Sequence, residues 1–399
     1  MDLSEHIESR SHSKTSQIDI KTNDQVQFPV TENIEFEQDG YKICITHDLI
    51  DSDWDAFLKK IPCANPVQTS TWGFIKSYSG WKPIRLLIKE RNTIIAGVQI
   101  LTRPLPFLGL IGYASRAPLY QKDDIHLLFL LVNELEKIAI KYRLKLLAIQ
   151  MAADNPQLES LLHKRAEKSS ILEIAPMATI KIDLTHDQNF LLALMKRRNR
   201  RSIHKSMRSD LIVREGTEED LPDFYQLYLK TSQRQKFIPF KLDYFRNLWC
   251  VLKPFNSVQL FVAEYGGEKI SALMSITFGN TLYTKHIGWS GKCSEFKPNH
   301  AVYWAALLWA KSKNYQYCDL DGIDIKTAQL LSKGKTLKVN QMQNPTFFKT
   351  GFGGELLLFP QTYVFVYNIF FRLACKLYLA KIFPTYFISR MMNIVRVSR

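Results

Sequence analysis

Two stretches of this 399-residue chain follow one plan, and that repetition limits its possible folds more than any single motif does. The first, IRLLIKERNTIIAGVQIL (84–101), is an apolar run, a polar Arg-Asn turn and a second apolar run. The second, VQLFVAEYGGEKISALMSI (258–276), repeats it around a Gly-Gly turn. Runs rich in β-branched and aromatic residues, joined by turn residues, predict β-hairpins. Each is followed, some way on, by a helical pattern: HLLFLLVNELEKIAIKYR (126–143) in one half, AVYWAALLWAKSKN (301–314) in the other. A short strand comes next, LLAIQ (146–150) or YCDLDGI (317–323). The equivalent positions Glu90 and Glu264 lie 174 residues apart. A solenoid would need shorter and more numerous repeats. The expectation is therefore a mixed α/β chain of two duplicated lobes, each a central mixed sheet with flanking helices.

Length supports two cores, because single cores stop growing well short of this size. Hydrophobic residues at 46% and aromatics at 12% can fill them. The organisation expected is a polar, flexible tail over 1–38, a first lobe over 39–180, a second over 181–362, and an amphipathic helical tail over 363–399. KICI near Tyr41 alternates like a first strand. Thr179–Leu184 reads as a strand at the boundary, and Thr185-His-Asp-Gln188 as a capping box opening a helix that runs on through Arg208. In the C-terminal stretch Asn368, Arg372 and Lys376 recur every four residues in an otherwise apolar pattern. That stripe suits a helix on a membrane surface or one packed against the second lobe, and both readings stay open.

A formal net charge of +15 attracts polyanions such as nucleic acid, anionic lipid headgroups or phosphorylated substrates. Six cysteines without CxxC or Cys/His pairing offer neither a zinc site nor a disulfide framework, and fit reduced thiols. The first residues lack the apolar stretch of a signal peptide, and no run of about 18 apolar residues marks a membrane span. A cytoplasmic protein is expected.

Chemistry concentrates in five places. Lys196, Arg197, Arg198, Arg200, Arg201, Lys205 and Arg208 gather positive charge that suits a diphosphate or an RNA backbone. In PVQTSTWGFIKSYSGWKP, Trp72 packs on a helical face and leaves Gln68 and Lys76 to point elsewhere. On TLYTKHIGWS, strand alternation puts Tyr283 and His286 on opposite faces, so that only one of them reaches a given site. Asp319-Leu-Asp321-Gly-Ile-Asp324 lacks the spacing and closing Glu of a calcium loop, but a strand ending in functional carboxylates fits. In NPTFFKTGFGGELLLFP (344–360) Lys349 falls between aromatic pairs and a Gly-x-Gly-Gly turn. Such glycines let a backbone approach a ligand closely, and a lysine beside them can neutralise an oxyanion or a phosphate. A bulged turn before the next strand accounts for the same residues. GxGxxG, P-loop, HExxH and GxSxG patterns are missing, so neither a nucleotide cofactor, a metal nor a protein nucleophile is expected.

Gln68-x-x-x-Trp72-x-x-x-Lys76, the basic run ending RRSIHK (200–205), YCDLDGI and FFKTGFGG (347–354), taken in order, resemble the Fem family of peptidoglycan-bridge aminoacyltransferases. That family, with FemA, FemB and FemX types, consists of two lobes of acetyltransferase (GNAT) type, and the resemblance covers about residues 40–365. It implies transfer of an amino acid from an aminoacyl-tRNA donor to an amine on a peptidoglycan-precursor stem peptide, UDP- or lipid-linked. On the same resemblance Lys76 and Arg201 meet the nucleotide or diphosphate end of the precursor. Lys349, with Phe348 beside it, sits where the acyl group moves. Asp319 and Asp321 orient the amine, and Tyr283 joins the substrate-binding set. No cofactor is implied, and residues 363–399 would touch the inner membrane leaflet. The FemA type carries a long helical arm for which the sequence after Arg208 leaves no room, which favours the FemX plan. Two rival functions remain at this point: an acyl-CoA-dependent GNAT N-acyltransferase, and a non-catalytic binder of RNA or membrane.

Overall fold

The computed structural model describes residues 32–105, 109–169, 174–335, 345–367 and 372. In the first repeat the strands are β1 (Ile34–Gln38), β2 (Tyr41–Thr46), β3 (Lys82–Glu90), β4 (Thr93–Leu105), β5 (Gly109–Ser115), β6 (Leu119–Tyr120), β7 (Leu146–Gln150) and β8 (Glu167–Ser169). Helices α1 (Ser52–Leu58), α2 (Ser70–Ser77), α3 (Ile125–Lys141) and α4 (Pro156–His163) connect them. β9 (Ala178–Asp183) closes the first repeat, and in the second come α5 (Gln188–Leu194), α6 (Arg197–Met207), β10 (Ile212–Glu215), α7 (Leu221–Gln235) and α8 (Leu242–Leu252). They are followed by β11 (Val258–Tyr265), β12 (Glu268–Phe278), β13 (Thr281–Trp289), α9 (Pro298–Ser312), β14 (Tyr317–Asp319) and α10 (Ile325–Ser332). The last elements are α11 (Pro345–Lys349), β15 (Glu355–Leu358) and β16 (Thr362–Val366).

Both hairpins form where the turn residues allow them. Arg91 and Asn92 take φ of 48° and 65°, Gly266 and Gly267 take 57° and 79°, the backbone that tight two-residue turns require. A third hairpin occupies part of the segment expected to be a flexible tail. Asp39 and Gly40, at φ 53° and 79°, turn β1 back onto β2. The Asp-Gly pair between IEFEQ and YKICIT carried that information.

The two sheets run β1-β2-β3-β4-β5-β7-β16-β8, with β6 alongside β4, and β10-β11-β12-β13-β14-β9-β15. Each contains one parallel step at the equivalent place, β5 with β7 and β13 with β14. Beyond that step the repeats trade strands. β9 leaves the first repeat and pairs antiparallel with β14 in the second sheet, and β16 returns from the second repeat to pair with β7 and β8 in the first. Residues 363–366, expected to open a helical tail, are therefore a buried strand of the first lobe. YVFV is β-branched and aromatic, and between two strands its backbone groups find partners that a surface helix would not need. The polar stripe expected at Asn368, Arg372 and Lys376 lies outside the described residues, apart from Arg372, whose Nη2 donates to the Val366 carbonyl at 2.9 Å.

The second sheet is buried on both faces. Phe261, Leu273, Leu282 and Cys318 pack against α9, and Leu260, Val262, Met274 and Ile276 against α7 and α8. Ile75 from α2 of the first lobe enters the latter cluster, so the lobes share side-chain packing.

The helix expected from Thr185 through Arg208 is two. Asp187, not Thr185, caps α5 by accepting from Phe190 N at 2.9 Å, while Thr185 bonds Asp183. Met195 and Lys196 then turn extended, with ψ of 147° and 143°. The Lys196 N–H is satisfied by Gly351 O at 2.9 Å, which a continuous helix would not allow.

Candidate active site between the lobes

The site begins with a bulge. Thr284 pairs with Ser275 and His286 with Met274, which leaves Lys285 as an extra residue on β13. One added residue reverses the alternation beyond it. Tyr283 and His286, expected on opposite faces, therefore share the face toward α7 and α8, with Lys285 between them. Tyr283 belongs to the core on that face, and His286 meets the rings of Tyr228, Phe240, Tyr244 and Phe245 edge-on. Burial, followed by the Lys285 charge, pushes the His286 pKa down to about 3, so the ring is neutral at pH 7.

Next to β13, β14 ends at Asp319, and the chain turns through Asp321 and Gly322 at φ of 47° and 44°. The Asp319 carboxylate accepts from the Thr179 hydroxyl and, at 2.7 Å, from Asp321 N, both on Oδ1. The Asp321 carboxylate pairs with Lys285 Nζ at 3.1 Å. From the other side of the sheet Lys349 donates to the main-chain oxygens of Asp321 and, at 2.9 Å, Gly322. Burial raises the Asp319 pKa, and the Asp321 charge adds to that. Burial also pushes Asp321 upward, but Lys285 and Lys349 outweigh it and hold the group below the ordinary carboxylate range. Burial lowers the Lys349 pKa against the pull of Asp321 and Asp319. One carboxyl is thus eased toward its neutral form while its neighbour stays ionised, a split that suits proton transfer.

The first lobe contributes α2. Gln68 anchors its approach by donating to Gln99 O at 3.1 Å and Ser115 O at 2.8 Å while accepting from Gln99 N at 2.8 Å. Two turns later Lys76, only 1% exposed, places its ammonium 5.5 Å from the Tyr244 ring centre and 5.8 Å from those of Phe240 and Trp72. Lys285 lies 6.0 Å from the same Trp72 ring and 5.8 Å from Tyr283. Trp72 thus stands between a lysine of each lobe. The His286 pKa responds to Lys285, Lys76 and Lys349 together, which places all three in one field.

The fold brings together Lys76, Tyr283, Asp319, Asp321 and Lys349 from the sequence expectations. Phe348 and Arg201 stand elsewhere. Phe348 packs with His300, Tyr303 and Phe352 at ring distances of 4.8, 5.1 and 5.2 Å. Arg201 lies exposed on the outward side of α6. Its neighbours in the basic run are committed internally: Arg200 to the carbonyls of Leu192, Ala193 and Met195, Arg198 to Phe347. Lys285 is the site residue that sequence reasoning passed over. Its position beside His286 was visible, but the bulge that turns it inward was not.

The glycines of FFKTGFGG serve the chain's own contacts. A Cβ on Gly351 would lie 2.0 Å from Asn199 Oδ1, one on Gly353 2.9 Å from Leu194 O, and one on Gly354 2.6 Å from Lys181 O. Asn199 Nδ2 also donates to Phe348 O at 3.1 Å, and the Arg198 guanidinium lies 3.6 Å from the Phe347 ring centre. The close approach these glycines permit is to α6, α5 and β9 of the chain itself, and it fixes where the Lys349 segment sits. Among the described residues no three His, Cys, Asp or Glu side chains converge to hold a metal ion, and no helix is long and apolar enough to cross a membrane.

Comparison with known proteins adds an independent line. The FemAB family matches residues 49–170, in the first lobe, and the acetyltransferase (GNAT) domain matches residues 195–325, in the second. The UDP-N-acetylmuramoylpentapeptide-lysine N(6)-alanyltransferase of Weissella viridescens is 23% identical over 285 residues, 68% of this chain and 83% of that protein. The lipid II:glycine glycyltransferase of Staphylococcus saprophyticus is 24% identical over 228 residues, and the chain spans about half of its length, 55%. In structure, FemX superposes with a TM-score of 0.70 at 17% identity, over 81% of this chain and 97% of FemX. The duplicated sheets and these matches agree: the chain has two GNAT-like lobes, the first of which matches the FemAB family, and its fold is that of FemX.

Proposed function

We propose that this chain is an aminoacyltransferase that moves an amino acid from aminoacyl-tRNA to an amine of a peptidoglycan-precursor stem peptide, UDP- or lipid-linked. The observation that carries the reading is the seat of Lys349. An ammonium has three hydrogens to donate. The carbonyls of Asp321 and Gly322 take two, which leaves the third for a substrate oxygen. The names of the alanyl- and glycyltransferase relatives support the reaction class.

The chemistry follows from those positions. An aminoacyl ester is already activated, so the protein must orient the amine and stabilise charge rather than supply a nucleophile. The amine nitrogen attacks the ester carbon and forms the C–N bond. The carbonyl electron pair moves onto oxygen, where Lys349 donates. Collapse breaks the bond to the tRNA ribose oxygen. Asp319, with its raised pKa, accepts the amine proton and returns it to that leaving oxygen. Asp321 stays ionised and fixes Lys285 and Lys349 in place.

Tyr283 and Trp72 line the acceptor path. Lys76 lies behind aromatic rings and acts on an anionic precursor through its field, not by direct contact. Phe348 positions Lys349 by locking α11 to α9. This reading puts the reaction on the cytoplasmic side, where charged tRNA and both forms of the precursor meet.

The test is a transfer assay with the purified chain, a charged tRNA pool and a muropeptide acceptor, with and without RNase. Labelled amino acid should reach the acceptor, and RNase should abolish transfer. Activity that survives RNase, or that appears only with an acyl-CoA donor, would remove the tRNA claim.

A further inference from the structure

On the second lobe, the side of α6 opposite its contacts with the Lys349 segment combines two features, basic charge and exposed apolar side chains. On α6, Asn199, Ile203 and Ser206 are buried, so the opposite side looks outward. That side carries Arg197, Arg201 and Arg208, with Lys205 and His204 beside them, all exposed. Just before the Met195–Lys196 bend, α5 exposes two large apolar side chains, Phe190 at 45% and Leu194 at 49%. Leu194 rims a cleft of about 330 Å³ whose walls include Leu191, Met195, Leu307 and Phe352. The Phe190 ring lies 4.3 Å from that of His186, at the mouth of the same cleft.

Arginines alone would suit RNA as well as lipid, because both present phosphates. The apolar pair decides between them. A phosphodiester backbone gives a leucine nothing to bury against. A bilayer offers phosphates at the headgroups and hydrocarbon a few ångströms deeper, and a basic stripe beside exposed Phe and Leu matches both layers. The bend at Met195–Lys196 lets one short segment present the two chemistries side by side.

We infer that the α5–α6 face docks on an anionic lipid bilayer, with Phe190 and Leu194 entering the acyl region and Arg197, Arg201 and Arg208 on headgroup phosphates. The inference does not rest on the transfer reaction.

The test uses the full chain and sedimentation with phosphatidylcholine vesicles, with or without about a quarter phosphatidylglycerol. Binding should need the anionic lipid and weaken with salt. R197Q/R208Q should bind about thirty-fold less tightly, since each basic residue near such a surface contributes about five-fold. R197K/R208K should bind like the parent chain. F190S/L194S should lose most vesicle binding, with circular dichroism and melting temperature unchanged at these exposed positions. Vesicle binding that survives either R197Q/R208Q or F190S/L194S overturns the inference. So does an R197Q/R208Q chain that loses binding to bulk tRNA but keeps its binding to vesicles, which would make the face an RNA surface.

Discussion

Lys349→Met is the most informative single change. The side chain keeps its length and apolar stem and loses the ammonium. The Asp321 and Gly322 carbonyls lose their shared donor. Hydrogen bonds from a charged donor contribute about 1.5–3 kcal/mol each before the replacement fills the space. Lys349 is half-buried and its seat is main-chain carbonyl that water can reach in part, so a net loss of about 2 kcal/mol is expected. That lowers the melting temperature by a few degrees without unfolding the chain. The effect on transfer should be larger. Removing one oxyanion donor typically costs about 10²–10³ in kcat, or about 2.7–4 kcal/mol of transition-state stabilisation. The pH profile should also move. Asp321 is held down by Lys285 first and Lys349 second, so without Lys349 its pKa rises and any acid limb that depends on it shifts to higher pH. The assay is steady-state transfer from charged tRNA to a muropeptide, with circular dichroism as the folding check. Wild-type kcat in a folded Lys349→Met chain would refute the assignment. An unchanged kcat with a raised KM would show that Lys349 binds ground and transition states equally and does not stabilise the oxyanion selectively.

Three other outcomes follow from the fold. Asp220 accepts a two-pronged bond from Arg214 at 2.7 and 2.8 Å and an ion pair from Lys269 at 2.6 Å, and these hold its pKa well below the ordinary value. A depressed carboxylate stabilises above its unfolded pKa and loses that stabilisation as pH falls, so Asp220→Asn should cost about 2 kcal/mol at pH 7 in denaturant titration and little in strong acid. Burial lowers the His300 pKa to about 4 among the rings of Phe348 and Phe352. The unfolded chain binds its proton first, so stability should fall by on the order of 1 kcal/mol per pH unit between about 6.5 and 4, and His300→Phe should flatten that slope. Gly351→Ala would drive a methyl against Asn199 Oδ1, 2.0 Å away. It should cost about 2–3 kcal/mol by thermal melting and reduce transfer by displacing Lys349.

The sequence made some levels of this structure legible and hid others for definable reasons. Duplication was readable because the hairpins carry their turn chemistry with them, Arg91-Asn92 and Gly266-Gly267. Lys349, Asp319 and Asp321 were readable because ordered motifs set them apart. The β13 bulge was not: nothing in TLYTKHIGWS marks which residue will be left unpaired, and so the side of His286 came out wrong and Lys285 was missed. Neither was the break between α5 and α6, because Met195 and Lys196 are ordinary helix residues and the partner that ends the helix, Gly351 O, is far away in sequence. Residues 363–366 looked like the start of an apolar helix because periodicity over four residues cannot separate the two forms. The FFKTGFGG glycines stood out in the sequence, but that Asn199, Leu194 and Lys181 crowd them was hidden because those partners are far away in the chain.

The exchange of β9 and β16 also bears on how the chain comes into being. Synthesis releases the first repeat with a gap between β7 and β8 that only the strand at 362–366 can fill. Until the ribosome has delivered it, the early lobe carries open edges on two strands, the kind of surface that pairs with the wrong neighbour. The second lobe needs no such wait, since β9 precedes it. The half made first is therefore the half completed last, and a nascent chain cut short after β15 would leave the later sheet whole and the earlier one unclosed.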